Sequence, residues 1–78
     1  MQKWEYRFVS AELGNSDWRV RFIDGKEVAN WKTTTTLYDY ANKIGDEGWE
    51  LVSAPYTSLL KYNGSETIFR LIFKRPKS

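Results

Sequence analysis

Thr36-Leu37-Tyr38-Asp39-Tyr40-Ala41-Asn42-Lys43-Ile44-Gly45-Asp46-Glu47-Gly48-Trp49-Glu50-Leu51-Val52 is the stretch on which the fold turns. Leu37, Tyr40, Ala41 and Ile44 recur at i, i+3, i+4, i+7, the spacing that lines one side of an α-helix. The Thr36 hydroxyl stands where it can accept the Asp39 amide, and the Asp39 carboxylate suits the positive end of the helix. Gly48 offers a left-handed stop, which places Trp49 to pack back onto Ile44. Gly45 weakens the last turn. These signals predict a helix from about Leu37 to about Glu47, followed by a strand from Trp49 to Ala54 that Pro55 ends, since proline cannot donate to a ladder.

Toward the amino terminus the period changes from helical to alternating. In Lys3 to Ala11, Trp4, Tyr6 and Phe8 point one way while Glu5 and Arg7 point the other, the pattern of a half-buried strand. Glu12-Leu13-Gly14-Asn15-Ser16 reads as a turn, after which Trp18, Val20 and Phe22 alternate with Arg19, Arg21 and Ile23. Asp24-Gly25 suits a type I′ hairpin, because both central residues need positive φ. A third strand, Lys26 to Trp31, would then pair Ile23 with Lys26, Val20 with Ala29 and Trp18 with Trp31. Its other face would collect Arg19, Arg21, Lys26 and Val28. Toward the carboxyl terminus, Tyr56 to Tyr62, the turn Asn63-Gly64 and Ser65 to Lys74 read as a second hairpin, setting Lys61 opposite Glu66 and Leu60 opposite Thr67. Phe69, Leu71 and Phe73 on one side and Ile68 and Ile72 on the other mark the last strand as central. Arg75 to Ser78 read as a solvated tail.

The whole is one α+β domain, residues 1–78, ordered βββαβββ, with an antiparallel sheet packed on one helix. Its 78 residues contain four Trp, five Tyr and four Phe but neither His nor Cys. That composition excludes imidazole bases, thiolate nucleophiles and the usual zinc sites, and leaves aromatic packing or self-association to stabilise a small core. No enzyme, cofactor or metal is expected. Twelve Lys and Arg stand against ten Asp and Glu, with signs interleaved and a net charge of +2, so the balance demands no nucleic acid. The charged start and the absence of a long apolar run predict a cytoplasmic protein without a membrane span.

Gly45-Asp46-Glu47-Gly48-Trp49-Glu50-Leu51-Val52-Ser53, the opening Trp4-Glu5-Tyr6-Arg7, the helix from Leu37 to Ile44 and the ending Phe73-Lys74-Arg75-Pro76 carry a resemblance over almost the whole chain. In these pieces the sequence resembles the small bacterial and phage family called domain of unknown function four-one-seven-seven. The resemblance implies a compact antiparallel sheet with one helix and assigns no activity or active site. The long Trp18-to-Trp31 hairpin departs from the family's usual second strand.

Two surfaces are candidates for binding. Trp4, Tyr6, Phe8, Trp18, Phe22 and Trp31 read first as core. Yet a helix of about eleven residues is ~16 Å long, whereas six strands at ~4.8 Å spacing make a sheet ~24 Å wide. Unless the sheet curls around its helix, part of its aromatic face is left for a second subunit or a ligand, so the leading expectation is a binding module that forms a homo-oligomer. The alternative is a nucleic-acid or nucleotide binder, taking an anionic ligand on Arg19, Arg21, Lys26, Lys32 and Trp31: guanidinium forks suit phosphate and an indole can stack on a base. Those cations also suit the plain role of solubilising an exposed hairpin. Asp46, Glu47 and Glu50 lie in a turn expected to be wet, without the pocket that carboxylate chemistry requires. Thr33 to Thr36 read as a connector and cap. Glu5-Arg7 and Lys61-Glu66 read as surface pairs, worth well under ~1 kcal/mol each.

Overall fold

The computed structural model describes residues 1–53, 56–61 and 64–77, with the backbone alone for 56–61 and 64–67. Strands β1 (Trp4–Leu13), β2 (Trp18–Ile23) and β3 (Lys26–Glu27) precede a short 3₁₀ turn, Trp31–Thr33. Helix α1 (Leu37–Asp46) follows, then β4 (Glu50–Ser53), β5 (Tyr56–Lys61) and β6 (Gly64–Pro76). The fold is α+β, with the element order that the periodicity predicts. All pairings are antiparallel, in the order β3-β2-β1-β6-β4, and β5 joins β6 on the same side as β4. β6 is therefore central, between β1 and the β4/β5 side.

The helix forms for the reasons its sequence gives. Asp39 N–H donates to Thr36 Oγ1 at 3.2 Å, closing the first turn. At the far end Gly48 takes φ 94°, Gly48 N–H donates to Gly45 O at 3.0 Å and Trp49 N–H to Ile44 O at 3.1 Å. That pair of bonds is a Schellman ending, and it delivers Trp49 to the same cluster as Ile44. Tyr40, Ile44 and Trp49 pack on Val9, Val20, Leu71 and Phe73, with Leu37, Ala41, Ile23, Val28 and Phe69 around them.

Which side of β1 meets the helix is the reverse of the aromatic expectation. Val9 and Ala11 are buried and Arg7 reaches the helix, whereas Trp4, Tyr6 and Phe8 stand on the opposite, outer face. Alternation fixes that two sets of side chains oppose each other but not which set is inside. The inner set is the one that meets the helix side's own large ring, Trp49, over which the guanidiniums of Arg7 and Arg75 lie. A bulge then shifts β2: Ser10 pairs with Phe22 and Ala11 with Val20, so Arg21 is the extra residue. Phe22 joins the outer face and Val20 the core.

Several boundaries differ from expectation. β1 continues through Glu12 and Leu13, paired with Arg19 and Trp18, so Gly14 to Asp17 make the turn. Asp24 and Gly25 have φ 50° and 85°, as the hairpin requires, and Ile23 pairs with Lys26. β3 nevertheless stops at Glu27, because Asn30 adopts a left-handed φ of 56° and turns the chain into the 3₁₀ segment. Val20 therefore does not pair with Ala29, nor Trp18 with Trp31. Trp18 instead meets Phe69 edge-on, centroids 4.7 Å apart. Lys61 pairs with Gly64, Leu60 with Ser65 and Leu59 with Glu66, two residues from the expected register. A shift of two leaves every side chain on its own face, so alternation could not distinguish the registers. Asn63 of the expected turn, Tyr62, Ala54 and Pro55 lie outside the described residues. Arg75 and Pro76 belong to β6, paired with Glu5 and Trp4, rather than to a tail.

Candidate interaction site

The outer face is built row by row from the ladder. Trp4 pairs with Pro76, Tyr6 with Lys74, Phe8 with Ile72 and Ser10 with Arg70. β4 extends two of these rows, Glu50 beside Lys74 and Ser53 beside Ile72. Trp4, Tyr6 and Phe8 are 39%, 51% and 54% exposed, a column of three aromatics on a face that no helix covers. Lys74 Nζ lies 4.3 Å from the Trp4 ring centroid, which ties the end of that column to β6.

On the inner face, the three strand-borne motifs that carried the family resemblance converge. Two guanidiniums lie over the Trp49 ring, Arg7 at 4.7 Å and Arg75 at 4.4 Å from its centroid. Arg7 donates to Tyr40 Oη at 3.2 Å, and Arg75 pairs with Glu5 and donates to Glu47 O. Among the described residues Trp49 Nε1 and Arg7 Nε are buried without a hydrogen-bond partner, so the stack itself is their principal contact. Glu5 thus pairs with Arg75, not with Arg7. Pairwise reading along one strand misses this cluster, since its members come from both ends of the chain and the helix stop. The one available signal was the grouping of Trp, Glu and Arg in all three motifs.

The basic hairpin residues do not present one free cationic face. Arg19 donates to Thr34 O and to Asn15 O at 3.1 Å, both backbone acceptors. Arg21 is bonded to Glu27 at 2.9 Å and to the buried Glu12 at 3.0 Å. Its proton affinity is raised, chiefly by the Glu27 hydrogen bond, with burial opposing and Glu12 adding to the rise. Its guanidinium lies 4.8 Å from the Trp31 centroid. Lys26 and Lys32 are exposed. The hollow beside Trp31 is lined by Asn15, Asn30, Trp31, Lys32 and Thr33; sequence reasoning missed the two asparagines, which only the fold brings together.

Asp46, Glu47 and Glu50 are all exposed, and among the described residues no three acidic side chains gather in a way that could hold a metal. Among them, too, no helix is long and apolar enough to cross a membrane. A family model described as "Domain of unknown function (DUF4177)" matches residues 4–76. No curated protein and no solved structure matches the chain.

Proposed function

We propose that this chain, which belongs to the DUF4177 family, is a non-enzymatic interaction module that pairs with a second copy of itself through the outer face of its sheet. The observation that carries the reading is the exposed column Trp4, Tyr6, Phe8 opposite the helix. At ~200 Å² per aromatic side chain, half-exposure of three leaves ~300 Å² of ring surface in water. That is more than a third of the ~800 Å² each partner contributes to a standard interface, before Ile72 and Phe22 are added. Charge supports a like partner: Lys74 and Glu50 share a row with Tyr6, so the face carries both signs and a two-fold copy can set unlike charges together.

The chain's lack of cysteine makes a clean test available. Phe8→Cys on the outer face is expected to give a disulfide-linked dimer under mild oxidation, whereas Tyr38→Cys, on the exposed side of α1, is not. Equal cross-linking from both positions would reject the outer face as the interface.

A further inference from the structure

The hollow beside Trp31 is a second surface, independent of the sheet's outer face. It is open, with a volume of about 320 Å³. It exists because the β1–β2 turn is clasped against the 3₁₀ segment: Asn15 N–H donates to Lys32 O at 3.1 Å. A side chain at Gly14 would come within 2.8 Å of Arg19 Cγ and 3.1 Å of Lys32 Cα, so glycine is what permits the approach. Trp31 is fixed there by Arg21, itself anchored by Glu12 and Glu27, which makes Arg21 a positioning residue.

What lines the hollow is polar capacity that the fold does not use. Asn30 precedes the 3₁₀ turn without capping it through its side chain. Among the described residues the side-chain amide of Asn15 forms no hydrogen bond either, and Lys32 has no carboxylate partner, its ammonium lying 5.8 Å from the Trp31 centroid. An indole for stacking, two amides that each donate and accept, and one cation without a carboxylate partner form a consistent set. The volume sits at the small end of the ~300–1,000 Å³ that small-molecule sites occupy, enough for one ring system and its substituent.

The geometry points to a site for a single nucleotide unit: a base stacked on Trp31 in place of the Lys32 ammonium that now lies over that ring, its edge read by Asn15 and Asn30, and its phosphate on the displaced Lys32. The same chemistry is offered by a free mononucleotide and by one unit of a single strand. Arg19 and Arg21, each held by two hydrogen bonds within the fold, keep the site in shape rather than meet the phosphate.

Nuclear magnetic resonance tests this directly, because each of the four tryptophans carries one indole N–H to observe. The probes are adenosine monophosphate, adenosine, inorganic phosphate and oligodeoxythymidylates of increasing length, at low salt. Adenosine monophosphate is expected to shift the Trp31 signal and leave that of Trp4 in place. Trp31→Leu is expected to weaken binding about tenfold or more, the loss of one stacked base. Lys32→Gln is expected to reduce the mononucleotide to the affinity of adenosine. Affinity that climbs with strand length identifies the single strand as the source, and affinity independent of length identifies the free nucleotide. An unmoved Trp31 signal with every probe, or wild-type binding by Lys32→Gln, whose exposed side chain the fold does not need, would overturn the site. Binding to inorganic phosphate as strong as to the nucleotide would do so as well.

Discussion

Trp49 is the residue on which three parts of the chain depend. The Schellman ending at Gly48 places it, the helix stripe packs against it, and Arg7 and Arg75 stack on its ring from the two longest strands. Trp49→Ala is expected to lower stability by about 3–5 kcal/mol in urea unfolding, the range for emptying a buried tryptophan site. A second residue-scale prediction concerns Arg21. Glu12 is 7% exposed and relies on that guanidinium, so Arg21→Ala strands a buried carboxylate. A loss of about 1–3 kcal/mol is expected at neutral pH. Adding Glu12→Gln to that variant should restore part of it, because the stranded charge is then gone. Because the proton affinity of Arg21 is raised in the fold, its contribution is fully present below its unfolded pKa and is lost only as pH climbs through the raised folded value. No step at acidic or neutral pH comes from Arg21 itself.

At the scale of elements, turn chemistry does most of the specifying. Gly48 at φ 94° has open space around its α-carbon, so Gly48→Ala is penalised by backbone conformation alone. A loss of about 1 kcal/mol in thermal unfolding is expected, with the helix retained by circular dichroism. The helix, its cap at Thr36, its stop at Gly48 and the Asp24-Gly25 hairpin were all legible in the sequence because each rests on contacts within a few residues. The inner and outer faces of β1 were not. Trp4-Glu5-Tyr6-Arg7-Phe8 alternates equally well with either side inside, and the choice depends on Trp49, more than forty positions away. The bulge at Arg21 was equally hidden, since Trp18 to Ile23 alternates without a break. Of the candidate binding residues, Trp31 and Lys32 share a hollow, while Arg19 and Arg21 are drawn into local bonds by Thr34, Asn15, Glu12 and Glu27, partners that sequence spacing could not choose.

At the scale of the molecule, one helix packs on one side of a six-stranded sheet, against Val9, Val20, Leu71 and Phe73. The exposed column on the other side is the consequence, and a second copy of the chain is the partner proposed for it. Sedimentation equilibrium of the wild-type chain beside a Tyr6→Lys, Phe8→Lys variant tests it most directly. The wild type is expected to approach twice the 9.2 kDa chain mass as concentration rises, and the variant to stay at the single-chain mass with an unchanged circular dichroism spectrum. A wild type that holds 9.2 kDa at every concentration would contradict the account.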